Sequence, residues 1–180
     1  MSDSKPRRKL AAILAADVVG FSKMMGENED RTLKNLKACR SLTDESIISN
    51  HGRIFGSAGD SIIAEFASPV DAMEAAITIQ KEVSKKAKEI QDNITIEFRI
   101  GINLGDIMTQ DNNLYGDNVN IASRLETLSK QFKCELVISK YVALKANMKT
   151  DNLLTRKVKI RGRKDSLEIF TFNKGTEIII

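Results

Sequence analysis

The sequence predicts an α+β domain with a ferredoxin-like βαββαβ core sheet and added C-terminal strands and helices. Three observations support this fold class. Positions 10–19 are nearly all apolar, a well-marked helix start lies at Ser68, and apolar residues alternate with polar ones over positions 94–103. The remaining elements fall between and after these three in the order of the split βαβ layout.

The first strand is predicted at residues 10–19. Apolar residues on both parities of this run are typical of a central strand that is covered on both faces. Acidic residues near Glu27 then open a long helix, which should end at Gly52, where a left-handed cap is easily formed. This helix would be the crossover that leads back to the sheet.

A hairpin and a second long helix follow. Short strands are predicted at residues 53–55 and Ser61–Phe66, around the tight turn GSAGD, because the glycines permit unusual backbone angles. Ser68 and Pro69 then begin a helix with a capping serine and a proline in the first turn. Its apolar stripe at three-four spacing carries the helix to about Gln91.

The strict alternation over residues 94–103 predicts a strand with one buried face. A turn at Gly105, a short strand to Met108 and a loop through Asn113 should come next. The last predicted elements are a helix at 116–129, a strand at 136–139 and a final hairpin. The predicted order is therefore βαββαβ with additions.

Length and composition indicate one domain. The chain has 180 residues, and its 42% hydrophobic content is enough for one sizeable core. We predict a basic N-terminal tail at 1–9, a folded domain at 10–173 and a C-terminal tail at 174–180. The longest uncharged apolar run, residues 10–16, is too short to span a membrane.

The two cysteines, Cys39 and Cys134, have no CxxC spacing and lie in a predicted helix and strand, which favours free thiols in a reducing, cytoplasmic setting. The net charge of +4 would suit nucleotides, nucleic acid or an anionic surface equally well. Charge alone therefore identifies no partner.

Two carboxylates are expected to converge at one end of the sheet. In the split βαβ layout, the first and third strands lie side by side and antiparallel, so Asp17 at the end of one meets Asp60 at the start of the other. Carboxylate oxygens beside glycine-rich turns are suited to Mg²⁺ or Mn²⁺. Either residue alone would be an ordinary turn or strand-end aspartate, but the pair favours a metal site.

A second candidate feature is the predicted helix in LYGDNVNIASRLE. Asn120 and Arg124 are four residues apart and so project from one helix face. Arg124 could neutralise charge on a phosphoryl group while Asn120 orients a sugar. Spacing alone favours the plainer interpretation, in which both are solvated polar side chains on an exposed helix face.

Three segments, AADVVGFS, GDSIIAEF and LYGDNVNIASRLE, resemble the signature motifs of class III adenylyl and guanylyl cyclases. The resemblance extends over about residues 10–172, with the three motifs in the expected order and spacing. It implies a catalytic domain that binds a nucleoside triphosphate, with ATP favoured, together with two divalent cations, Mg²⁺ or Mn²⁺. It also implies a homodimer, in which each site combines residues from both chains.

The same resemblance implies a role for each matching residue. Asp17, Asp60 and the backbone carbonyl of Val18 would hold the metal ions, and amides around Gly20 and Phe21 would bind the triphosphate. Asn120 would position the ribose and Arg124 would stabilise the α-phosphorus in the transition state. No side-chain base is then required, because one metal ion activates the ribose 3′-hydroxyl.

The positions that usually select adenine depart from the family pattern. Gly56 stands where a Lys is usual, and Asn113 stands where an Asp is usual. Glycine offers no side chain to a base, whereas the Asn113 amide could pair with adenine or guanine or be a plain loop residue. In the basic run at 156–164, Arg161 or Arg163 could contact the triphosphate, or the run could be a solvated hairpin.

Other readings stay open. One is a guanylate or pyrimidine cyclase, and another is a catalytically silent cyclase-like dimer that binds nucleotide and regulates a partner. An RNA-binding ferredoxin-like module should carry stacking aromatics on its central strands. The first strand has none, so no nucleic-acid partner is predicted.

Overall fold

The computed structural model describes residues 5–180. The strands are β1 (Arg7–Val18), β2 (Arg53–Ala58), β3 (Ser61–Phe66), β4 (Phe98–Gln110), β5 (Asn113–Tyr115), β6 (Leu136–Ser139), β7 (Thr155–Lys159) and β8 (Ser166–Phe172). The helices are α1 (Phe21–Glu27), α2 (Glu29–Ser49), α3 (Pro69–Ile90), α4 (Asp117–Phe132) and α5 (Lys140–Lys145).

The strands form one sheet in the order β2-β3-β1-β4-β6-β8-β7, with β5 paired to β4. β1 lies between β3 and β4 and is antiparallel to both, so the predicted neighbours at the sheet centre are confirmed. β6 is parallel to β4, and the β7–β8 hairpin extends the sheet beyond it. The predicted α+β fold with a ferredoxin-like core and C-terminal additions is correct.

Helices cover both faces of the sheet. Helices α2, α3 and α5 pack on one face, over the largest apolar cluster, to which β4 contributes Ile100 and Ile102. Helix α4 packs on the opposite face, over smaller clusters that include Ile13 of β1 and Val137 of β6. The central strands are therefore sandwiched, which explains why β1 is apolar on both parities.

The long helices begin where polar side chains can cap them. The Ser68 hydroxyl accepts hydrogen bonds from the amides of Val70 (3.2 Å) and Asp71 (3.4 Å) at the start of α3, as predicted. At the start of α2 the Asn28 side chain accepts from the Arg31 amide at 3.0 Å. Asn28 also ends α1, so the single helix predicted before Gly52 is two helices joined at one capping residue.

Strand β4 differs from the prediction in three ways. It starts at Phe98, although the preceding Ile94 and Ile96 are buried as the alternation indicated. It continues through Gly105, where a turn was predicted, since Gly105 stays paired with β1. Both of its faces are covered rather than one, because α4 lies over the face that carries the more polar residues.

Three shorter features were also misjudged. β1 starts three residues earlier than predicted, because Arg7 to Lys9 pair with the far end of β4. Asn113 lies in the short strand β5 rather than in a loop, and α5 was not predicted at all. Its six residues are too few for a helical apolar period to be recognised.

The C-terminal end of the chain lies against the folded body. Residues 1–4 of the predicted N-terminal tail are outside the described residues. In the predicted C-terminal tail, Ile178 packs against the main core and the Ile179 carbonyl accepts from the Lys149 amide at 3.1 Å. The domain bounds themselves remain a prediction. Within residues 5–180, the helices are all too short or too polar to cross a bilayer.

Candidate active site

The ends of β1 and β3 bring Asp60 to the main chain beside Asp17. The two strands are paired up to Ala16 and Ile62. Asp60 lies in the turn that precedes β3, next to Gly59 in a left-handed conformation (φ 59°). Its Oδ2 accepts a hydrogen bond from the Val18 amide at 2.9 Å. This contact fixes the Asp60 carboxylate at the C-terminal end of β1, where topology predicted that the two aspartates would meet.

Asp17 is held by a residue that the sequence analysis did not single out. Arg99 lies opposite Asp17 in the β1–β4 register. Its guanidinium donates to both carboxylate oxygens, with Nε 3.0 Å from Oδ1 and an Nη 3.2 Å from Oδ2. The bidentate pair is partly buried, which fixes the orientation of the Asp17 carboxylate.

A third carboxylate, Glu126 on α4, lies beside Arg99 and Asp17. Its side chain is 10% exposed, and its Oε1 lies 3.2 Å from Arg99 Nε. Burial and the neighbouring Asp17 carboxylate raise the pKa of Glu126 to about 8, Arg99 opposes this, and Asp60 adds to it. Arg99 and Glu126 were not predicted as site residues. A polar residue in an alternating strand or on a predicted helix is normally exposed to solvent. Gly101 and Gly105, which lie on the same strand face without side chains, were the available sign that a helix covers it.

The donor set at the end of β1 fits a hard divalent cation. Two carboxylates and the nearby Val18 carbonyl supply only oxygen atoms, which Mg²⁺ and Mn²⁺ prefer. No group of three or more acidic, histidine or cysteine side chains suited to a metal ion lies together in residues 5–180. The chain alone therefore offers an incomplete shell, as expected for an ion that keeps waters and takes further oxygens from a phosphate ligand.

Asn120 and Arg124 lie on a different surface from Asp17 and Asp60. Both line a groove of about 450 Å³ between the outer side of α4 and the segment after β7, which contributes Arg161. Neither aspartate lines this groove. Within one chain, the two predicted halves of the site thus do not share a pocket.

The predicted phosphate-binding segment follows β1 directly. Gly20 has a left-handed conformation (φ 66°) and precedes the first residue of α1, Phe21. A side chain at position 20 would be strained by this angle rather than by any neighbour, since nothing lies within 4 Å of the place of its Cβ. The sharp bend places the Gly20 and Phe21 amides beyond the end of the strand that carries Asp17.

The two candidate base-reading positions are exposed. Gly56 lies in β2 beside a bulge, with open space where a side chain would begin. Asn113 starts β5, and its amide donates only a long bond, 3.4 Å, to the Asp111 carbonyl.

The basic hairpin supplies two further candidates. Arg161 lines the groove with Asn120 and Arg124, whereas Arg163 Nε lies 3.8 Å from the Asp117 carboxylate at the start of α4. Arg163 is thus engaged in a loose surface ion pair, and Arg161 is the better placed of the two for a ligand in the groove.

Solved structures share this architecture. A structure described as an adenylate/guanylate cyclase/hydrolase from Silicibacter pomeroyi superimposes with a TM-score of 0.81 at 29% identity, covering 94% of this chain and 99% of that one. The adenylyl cyclase CyaB from P. aeruginosa gives a TM-score of 0.80 at 19% identity, covering 98% and 100%. The fold is thus that of class III cyclase domains.

The sequence comparisons identify the family. The profile of the adenylate and guanylate cyclase catalytic domain matches residues 4–174, so the chain belongs to this enzyme family. The provisionally named adenylate cyclase 3 of Rhizobium meliloti (strain 1021) is 41% identical over 130 residues, which are 72% of this chain and 22% of that protein. An adenylate cyclase of Anabaena cylindrica is 28% identical over 181 residues, covering 88% and 36%. The chain spans about a third or less of the length of these relatives.

Proposed function

We propose that the chain is a nucleotidyl cyclase domain that converts ATP to 3′,5′-cyclic AMP and pyrophosphate at a site shared between two copies of the chain. The observation that carries the proposal is the placement of Asp60 beside Asp17 at the end of β1, in a chain of the cyclase family. ATP is favoured because the similar sequences are named as adenylate cyclases.

In the proposed reaction, the ribose 3′-hydroxyl oxygen bonds to the α-phosphorus while the bond to the pyrophosphate oxygen breaks, and the hydroxyl proton passes to solvent. Divalent cations held by Asp17, Asp60 and the Val18 carbonyl would supply activation of that hydroxyl and neutralise the departing charge. These residues would contribute oxygen ligands that are held in a fixed orientation.

Other residues bind and orient the nucleotide. The Gly20 and Phe21 amides would hold the triphosphate, by resemblance to the family. Asn120 would orient the ribose, and the Arg124 guanidinium would neutralise charge that develops on the α-phosphoryl oxygens. Arg161, in the same groove as these two, would add a contact to the triphosphate.

The separation of the two halves supports a homodimer. Asn120 and Arg124 open into a groove that Asp17 and Asp60 do not line. If one chain supplies the aspartates and its partner supplies Asn120 and Arg124, a two-fold axis generates two equivalent sites. On this proposal a monomer is inactive.

The activity test uses purified protein with Mn²⁺ and ATP, GTP, CTP or UTP, with cyclic product measured by chromatography. We expect a cyclic product from ATP and none from Asp17→Ala. Because Gly56 offers no side chain and the Asn113 amide can pair with adenine or guanine, the other three nucleotides are tested alongside. Absence of any cyclic product from all four, at dimer-forming concentration, would refute the proposal.

A mixing test addresses the shared site. Asp17→Ala and Arg124→Ala should each be inactive alone. After the two variants are mixed and allowed to exchange partners, half of the dimers contain one chain of each kind, and each has one intact site of two. Activity should therefore return to about one quarter of wild type. No recovery, despite verified exchange, would exclude a composite site.

A further inference from the structure

Glu126 is a buried carboxylate on the inner side of α4, and neither the motif analysis nor the proposed mechanism gives it a role. The residue is 8% exposed, whereas Arg124 on the same helix faces the outer groove. Helix α4 therefore carries proposed substrate-binding residues on one side and an acidic side chain that faces the sheet on the other.

The close packing of α4 on β4 places Glu126. A Cβ on Gly101 would lie 2.3 Å from the Glu126 main-chain nitrogen and 2.4 Å from the Ala122 carbonyl oxygen. The helix thus rests on bare backbone at this point. Because Arg99 lies two residues before Gly101 on the same strand face, it lies next to Glu126.

Arg99 is shared unequally between two carboxylates. Its guanidinium donates to both oxygens of Asp17, at 3.0 and 3.2 Å. Glu126 Oε1 is 3.2 Å from the same Nε, within ion-pair range, yet among the described residues this buried oxygen has no well-aligned hydrogen-bond donor. Glu126 therefore has an unused acceptor within reach of Arg99.

This arrangement matters for cation binding. A cation bound by Asp17 must compete with the Arg99 guanidinium for the same two oxygens. When Arg99 gives up Asp17, a partly buried positive charge needs another partner, because an unpaired buried charge is costly. Glu126 Oε1, which lies 3.2 Å from Arg99 Nε, can then accept from the guanidinium.

We propose that Glu126 is a positioning residue that takes over the Arg99 guanidinium and so frees Asp17 for a divalent cation. The inference rests on the proposed function in that it takes Asp17 as a cation ligand. Glu126 acts through Arg99, since it forms no three-carboxylate metal cluster with Asp17 and Asp60 within the described part of the chain.

The test measures Mn²⁺ binding to the nucleotide-free protein from the free-ion signal in electron paramagnetic resonance. Outer-shell partners of metal ligands typically change metal affinity by about 10–100-fold. Glu126→Gln should therefore raise the Mn²⁺ dissociation constant on the order of ten-fold. Asp17→Ala identifies which part of the Mn²⁺ signal belongs to this site.

A double variant separates action through Arg99 from a direct effect of the Glu126 charge. If Glu126 works by drawing Arg99 away from Asp17, then adding Glu126→Gln to Arg99→Gln should change the Mn²⁺ dissociation constant by less than about three-fold, because no competing guanidinium is left for Glu126 to act on. If Glu126 attracts the ion directly, a loss of affinity on the order of ten-fold persists between Arg99→Gln and the double variant. That result would overturn the inference.

Glu65→Gln is the matched control. Glu65 is also a buried glutamate in ion pairs, with Lys9 and with Arg53 at 3.2 Å, but these partners are not Arg99. It should lower the melting temperature without changing Mn²⁺ affinity. Equal loss of affinity in the Glu65 and Glu126 variants would show a general effect of destabilisation and would also overturn the inference.

The outcomes distinguish this inference from the proposed function. Active wild-type protein in which Glu126→Gln leaves Mn²⁺ affinity unchanged refutes the inference alone. Wild-type protein with an Asp17- and Glu126-dependent Mn²⁺ site that makes no cyclic nucleotide refutes the proposed function alone. If no Mn²⁺ binding to the nucleotide-free protein depends on Asp17, the inference fails, whereas the proposed function is refuted only by absence of cyclic product in the activity test.

Discussion

Replacing Gly101 with alanine tests the contact that holds α4 against the sheet. The added Cβ would lie 2.3 Å from the Glu126 nitrogen, 2.4 Å from the Ala122 oxygen and 2.9 Å from the Leu125 carbonyl carbon. All three are main-chain atoms, so no side-chain rotation can relieve the clash. Normal contact distances of about 3.5 Å require α4 to move away by roughly 1 Å.

Overpacking of a well-packed core typically costs about 1–3 kcal/mol, and this contact with rigid backbone belongs at the upper end. For a chain of this size, about 3 kcal/mol lowers the melting temperature by roughly 6–12 °C. Circular dichroism against temperature, with urea unfolding as a second measure, would detect this. Displacement of α4 should also weaken the contact between Glu126 and Arg99.

Gly26→Ala is the control. Gly26 lies in α1 with nothing within 4 Å of the place of its Cβ and no positive φ. Alanine there should be neutral or stabilising by about 0.5–1 kcal/mol, because it favours the helix. A Gly101→Ala melting temperature within about 2 °C of wild type would show that α4 does not rest on bare backbone, and the account of how Glu126 is placed would fail.

Three further predictions concern other parts of the molecule. Asn28→Ala, which removes the cap on the Arg31 amide, should lower the free energy of unfolding by about 1 kcal/mol in urea titrations. Burial raises the pKa of the fully buried Cys39 thiol, so it should react with a thiol reagent at pH 8 only after denaturant is added. In metal-free protein the pKa of Glu126 is raised from 4.5 to about 8, so the folded state holds an extra proton between those values and the free energy of unfolding should fall as pH rises through them. Glu126→Gln should make that fall shallower, and an unchanged slope would assign the pH dependence to other groups.

The sheet could be predicted from sequence because burial imposes simple patterns on its strands. β1 and β3 are apolar enough to be placed, and the Ser68 cap fixed the start of α3. The predicted secondary structure was wrong where a residue type occurs in two structural settings. Gly105 was taken as a turn residue, but it is a strand residue without a side chain because Asn118 of α4 lies where a Cβ would be.

Half of the candidate site could be predicted in the same way. Strand topology alone indicated that Asp17 and Asp60 would meet. The contacts of Asp17 could not be predicted, because the glycines on this face of β4 indicate that a helix packs there but not which of its side chains meets Arg99. A polar residue on an alternating strand is normally assigned to solvent, and here that face is covered by a helix.

The position of β7 at the edge of the sheet gives its basic residues a role other than ligand binding. β7 forms one border of the sheet, and a border strand offers unpaired main-chain groups to any other chain. Two of its five residues, Lys157 and Lys159, are exposed and cationic. A second copy that docked edge to edge would bring these charges opposite one another, which disfavours growth of the sheet into fibres. Part of the positive charge of this protein therefore disfavours edge-to-edge aggregation. That role requires no anionic partner.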